Sequence, residues 1–253
     1  MKLGTLRILV VAVAMTGING LFGLNAQNDA AVPDRSTPAA QSISGFWELS
    51  FDSRKVPAAD IQPRVTKAEI NAKMKHDEHE IRYCTMLGTP FIMDQSRPID
   101  IRQGTSEVMI AADTFTQARH LYFRSKHIDP EIYDPSMNGD SIAHWDGDTL
   151  IVDTVGFSEE NGLTQIPGGG FRTAHSHLVE RYRLVENGSI LSATFTWTDP
   201  TVYRTPHTYE FRYYRLPAQY EPLPTIPCNA FDEERAKFLD GPGKTGDQAI
   251  SVR

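Results

Sequence analysis

The sequence predicts an all-β protein: an antiparallel β-barrel of about 8–10 strands with one helix near the N-terminus. Three observations carry this. From residue 90 onward, short runs of alternating apolar and polar residues recur with turn residues between them and no βαβ rhythm. Asp146-Gly147 and Asn187-Gly188 each stand between two such runs, and Asp146-Gly147 reads as a two-residue type I′ turn. Only Thr66 to Glu80 is dense in helix formers, and Thr66 followed by Glu69 forms a capping box.

Taken in order, the 253-residue chain opens with Lys2 and Arg7 ahead of the apolar run Ile8 to Met15 and a small-residue site ending at Ala26. This is the pattern of a signal peptide over residues 1–26, which places the mature protein in the periplasm or outside the cell. An uncleaved anchor over Ile8 to Leu24 is the alternative, and no later segment is apolar enough to span a bilayer. Residues 27–43, small, polar and proline-bearing, read as a disordered tether. Residues 44–239 make a single barrel domain, and 240–253 a disordered tail.

Within the domain the first strand is Gly45 to Phe51, with Trp47, Leu49 and Phe51 on one side. After the helix come PFIMD, PIDIRQ, EVMIAAD, ARHLYF, SIAHW, TLIVDTV, HLVERYRLV, SILSATFTWT and HTYEFRYYRL. Closing these into a barrel leaves no open edge. Two long loops interrupt them: 124–140, and 158–173 with Gly168-Gly-Gly170, which reads as a lid over a mouth.

The net charge of −7 and scattered basic residues argue against nucleic acid or an anionic membrane as partner. Cys84 and Cys228 leave two readings open. A disulfide closing so long a loop contributes about 4 to 5 kcal/mol in the chain-entropy treatment; the other reading is two separate buried thiols.

Alternation places His120 and Tyr122 on one face of ARHLYF, and Ile151 with Asp153 on one face of TLIVDTV. His177, Val179 and Arg181 share a face opposite Leu178, Glu180 and Tyr182. Polar and large apolar groups mixed on one face suit a barrel interior that is a ligand pocket, with His120, Tyr122 and Asp153 pointing inward; the other reading makes them the solvent-facing half of an ordinary sheet. His144, beside a turn, is expected at a rim, and Arg181 on the solvent side. A His with a carboxylate in such a pocket is an acid/base pair, and a tyrosine hydroxyl there donates to a developing oxyanion.

Gly169-x5-His175-x-His177-x2-Glu180-x7-Gly188 resembles the first metal motif of the cupin superfamily, which implies a divalent ion on His175 and His177. Glu180 departs from that pattern, because it points to the opposite face. No serine-hydrolase elbow, Walker loop, dinucleotide fingerprint or HExxH motif occurs.

Two further resemblances concern fold and membership. Gly45-Phe46-Trp47 resembles the G-x-W of lipocalins and their calycin relatives, in which the Trp closes the barrel floor against an Arg of the last strand; Arg212 or Arg215 takes that part here. Most of the mature chain resembles a family of secreted bacterial proteins of uncharacterised activity. The match runs through Cys84-x3-Gly88-x-Pro90, Arg119-His-Leu-Tyr122, Gly139 to Phe157 around Trp145, and His177-Leu-Val-Glu-Arg-Tyr182. The resemblance makes Arg119, His120, Tyr122, Asp153, His177, Glu180 and Arg181 the site candidates.

The expected protein is thus an exported, lipocalin-like barrel with an internal pocket for a small hydrophobic or aromatic molecule. His120, Tyr122, Asp153, His177 and Glu180 are the catalytic candidates of a cofactor-free lyase, isomerase or hydratase. Arg119, Trp145, Arg181 and Tyr209 are the ligand-binding candidates. The same residues serve a carrier without catalysis, and the alternative is a metal-dependent cupin-like enzyme on His175 and His177.

Overall fold

The computed structural model of the protein describes residues 42–82, 88–112 and 117–221. The expected signal segment, most of the tether, both cysteines and the tail lie outside the described residues. Nine strands close into one barrel in chain order. They are β1 (Gly45–Leu49), β2 (Ile99–Gln103), β3 (Glu107–Ala112), β4 (Arg119–Tyr122), β5 (Asp140–Asp146), β6 (Thr149–Val155), β7 (His177–Val185), β8 (Ile190–Thr198) and β9 (His207–Arg215). Each pairs with its neighbours and β9 returns to β1, with Trp47 opposite Arg215.

The barrel is not wholly antiparallel, as the sequence had suggested. β4 and β5 run parallel over the short register Leu121↔Ser141 and Tyr122↔Ile142. A parallel pair needs a crossover connection, and residues 123–139 supply it. Three local expectations also shift. Asp146 pairs with Thr149, so the tight turn is Gly147-Asp148, with positive φ at Gly147 alone of the two. Val185 pairs with Ile190, so the Asn187-Gly188 connection is a four-residue loop. PFIMD does not extend; Phe91–Met93 form a short 3-10 turn.

The helix α1 (Lys67–Arg82) starts on its capping box: the Thr66 N–H donates to Glu69 Oε2 at 2.7 Å and the Glu69 N–H to Thr66 Oγ1 at 3.2 Å. Its buried Asp77 carboxylate accepts from the N–H groups of Thr164 and Gln165, and Glu80 accepts from the Gly162 N–H. Arg172, fully buried, donates to the carbonyls of Ser158, Asn161 and Leu163 and lies over the Phe157 ring. Burial lowers its pKa to about 10. The 158–173 segment expected to be a lid is therefore strapped to the helix and to its own base. Its glycines allow close approach: Gly168 has φ +87°, and a Cβ there would come within 2.3 Å of the Pro57 carbonyl oxygen.

The Trp of the G-x-W motif meets an arginine of the last strand, as expected. Trp47 is fully buried and donates to the Ile43 carbonyl at 3.0 Å, while the Arg215 guanidinium lies 4.1 Å from its ring centroid. Gly45 has φ +152°, and a Cβ there would sit 2.7 Å from Arg215 Nη1, so the first residue of the motif must be glycine.

Alternation along each strand fills the interior with Trp47, Trp197, Tyr182, Tyr213, Phe195 and Phe211, each at most 1 % exposed. One ion pair sits among them. Arg119 donates from both terminal nitrogens to Glu180, at 2.8 and 2.5 Å, and also to Ser141 and Thr154. Tyr182 donates its hydroxyl proton to Glu180 at 2.7 Å. Burial alone would lower the Arg119 pKa, but the Glu180 charge beside it raises it, so the guanidinium stays charged. Burial likewise holds the Tyr182 hydroxyl protonated.

Glu180→Ala would strand the Arg119 charge in an apolar interior. The expected cost is about 3 to 5 kcal/mol, read as a lower denaturation midpoint at unchanged slope. Replacing both partners, Arg119→Met with Glu180→Leu, should recover most of the loss.

Candidate functional site

The outer faces of β3 to β7, with the 123–139 crossover, hold a continuous band of polar and aromatic side chains. Outward positions follow from the register. Ile142, Asp153 and Val179 lie side by side across β5, β6 and β7, between inward rows headed by Ala143–Val152–Glu180 and Ser141–Thr154–Leu178.

At the centre of the band, His177 Nε2 lies 2.8 Å from Asp153 Oδ2. Asp153 Oδ1 is 2.9 Å from His127 Nε2, and His127 Nδ1 is 2.9 Å from Asp140 Oδ2. Asp140 also receives Arg124 and the Ile128 N–H. Arg124 in turn lies over the Tyr122 ring at 4.9 Å, and Tyr122 stacks on His120, whose Nδ1 is 2.8 Å from Glu107 Oε2. Tyr133 closes over Gly156, with its hydroxyl 3.0 Å from Ser136 Oγ.

Burial grades along this chain. Asp140 is buried, while the side chains of His127, Asp153 and His177 are 24, 35 and 39 % exposed. The His177 hydrogen bond pulls the Asp153 pKa below its ordinary 3.8; partial burial opposes this and His127 adds to it. The same hydrogen bond raises the His177 pKa above its ordinary 6.5, against the desolvation of the ring. Among the described residues, His177 Nδ1 has no hydrogen-bond partner. The arrangement is an imidazole with one nitrogen held by a carboxylate and the other open, which accepts and returns a proton.

The sequence candidates divide between the two faces. Asp153 and His177 are brought together, on the outer wall rather than in an internal pocket. His120 and Tyr122 share a face as read, but it too is the outer one, each being about 40 % exposed. The inward positions of β4 belong to Arg119 and Leu121. Glu180 points inward to Arg119 and does not meet His177. Arg119 is likewise buried in the core, on Glu180.

Trp145 packs partly buried against the core, and Tyr209 is buried, stacked on Phe195 and accepting from Trp197 Nε1. Arg181 is exposed on β7. His175 sits exposed in the turn before β7. With Glu180 inside and His177 engaged by Asp153, the cupin-like trio is not assembled, and no group of three His, Cys, Asp or Glu among the described residues is placed to hold a metal ion.

His127, Asp140 and Arg124 were missed because they fall in or beside a stretch read only as a loop. The dense charge of RSKHIDPEIYDPSMNGD was the available signal. Two surface grooves, of about 460 Å³ beside α1 and about 580 Å³ beside β8 and β9, contain no residue of the band. No family model matches the sequence, and no curated protein matches it.

An NMR pH series should place the His177 titration above 6.5, and Asp153→Asn should return it toward that value. Because the folded pKa of His177 is raised, its stabilising contribution is full below 6.5 and fades as pH rises through the raised value. Because that of Asp153 is lowered, its contribution is full above 3.8 and fades as pH falls through the lowered value. Thermal stability of the wild type minus that of Asp153→Asn should therefore be largest between these two limits.

Proposed function

We propose that the protein is an exported, lipocalin-like barrel that performs cofactor-free acid/base chemistry on a small organic molecule at its outer wall. Its reaction class is that of a lyase, isomerase or hydratase. The observation that carries this is His177, half-exposed, with Nε2 on Asp153 and Nδ1 open. His177 Nδ1 takes a proton from a carbon, whose bonding electrons stay on the substrate, and Asp153 holds the resulting imidazolium in place. The proton then returns to a different atom, giving isomerisation, or to a departing hydroxyl, giving loss of water.

Tyr122 and Arg124 on the same wall, the guanidinium over the tyrosine ring, are candidate donors for a developing oxyanion. Export rests on residues 1–26 and the lipocalin-like assignment on the closed barrel with Trp47 against Arg215. A carrier reading has its own observation: Ile132 is 79 % exposed and Ile128 36 %, beside the band, an apolar edge suited to a hydrophobic ligand.

The test is incubation of the mature protein with a small-molecule extract of its source cells, compared by mass spectrometry with His177→Ala and Asp153→Asn. A compound that shifts retention at constant mass, or changes by one water, with wild type alone supports the enzyme. Identical profiles for wild type and His177→Ala would defeat it. A native-mass adduct present without turnover would support the carrier instead.

A further inference from the structure

We infer that His127 is a positioning residue for His177: by tying Asp153 to the immobile Asp140, it fixes which nitrogen of His177 is free and shares the carboxylate charge that His177 feels. This rests on the acid/base reading above.

Both ring nitrogens of His127 face carboxylate oxygens at 2.9 Å. An ionised carboxylate only accepts, so both contacts are hydrogen bonds only when both nitrogens donate, the form of the ring with two N–H protons and a positive charge that the inference assigns to it. The tie is anchored at its far end. Asp140 is buried at the start of β5, and it is held by Arg124 and by the Ile128 N–H at 2.9 Å. Asp153 Oδ1 is therefore taken by His127, and Oδ2 is left for His177 at 2.8 Å. Since Oδ2 accepts, the neutral His177 ring must carry its proton on Nε2, which makes Nδ1 the basic atom facing outward.

Charge matters as well as geometry. Asp153 faces two imidazoles, one from the crossover and one from β7, so its charge is divided between them. An unshared carboxylate would make His177 more basic. Removing the His127 charge while keeping a donor must raise the His177 titration, whereas loss of a merely structural prop would loosen the pair and let it fall. The two roles predict opposite signs.

The experiment follows the His177 ring by ¹⁵N and ¹³C NMR in the mature protein, with thermal unfolding to confirm the fold. His127→Gln keeps an N–H for Asp153 without the charge. The expected result is a rise in the His177 midpoint of about half a unit or more, with the Nε2–H tautomer retained. An unchanged midpoint, or a fall toward 6.5, overturns the inference.

The wild type supplies a second readout that needs no variant. The His127 ring should show two N–H signals while Asp153 is ionised; a ring with one N–H overturns the inference as well. If turnover proves independent of His177, the acid/base reading fails by itself, and the NMR result still decides the role of His127 on the shared carboxylate.

Discussion

The Arg119–Glu180 pair inside the barrel is the constraint on which the remaining structure depends. Both residues sit in a dry interior, and each is tolerable there only because the other is present. A one-residue slip of a strand turns every side chain to the opposite face. A slip of β4 or of β7 alone would leave one charge stranded, so the registers of these strands are linked across the barrel. With Arg119 inward, His120 and Tyr122 must point out; with Glu180 inward, His177 must point out. Val152, paired with Glu180 on β6, carries Asp153 to the same outer wall. The position of the candidate site is thus a consequence of how a buried charge is neutralised.

That same pair explains what could and could not be read from the sequence. Alternation sorted the side chains of β4, β6 and β7 into faces, and those groupings hold: His120 with Tyr122, and His177 opposite Glu180. Which face was interior could not be read from polarity, because one strand put an arginine beside Leu121 and another put a glutamate between Leu178 and Tyr182. Charges normally mark the solvent side, and here two of them cancel within the core. The barrel, the helix α1 and the Trp47–Arg215 contact were legible, since repeated short strands and the G-x-W spacing are local patterns. The parallel pairing of β4 with β5 was not, because direction is set by a crossover whose path no local pattern records. The His127 contact escaped for a related reason: the crossover brings its ring between Asp140 at the start of β5 and Asp153 on β6.

The two long loops, one rich in charge and the other in glycine, take different parts. The 158–173 segment is bound by Asp77, Glu80 and Arg172 to the helix and to its own backbone. Its carbonyls and N–H groups are met by charged side chains, which is how an irregular segment lies against a core without orphaned polar atoms. The 123–139 segment instead uses its charged residues outwardly, on Asp140 and Asp153. One loop is held in place by ionic groups, and the other completes the hydrogen-bonded chain from Asp140 to His177.

The parallel junction of β4 and β5 has a bearing on how the molecule matures. It is the shortest seam of the barrel, two registered pairs against seven for β5 and β6. Arg124 and His127 arrive from the β4 side, while Asp153 and His177 stand on the β6 and β7 side. A chain whose strands have formed but whose cylinder is still open has the two halves of the hydrogen-bonded chain apart. The hydrogen-bonded chain from Arg124 to His177 is therefore complete only when this seam is closed.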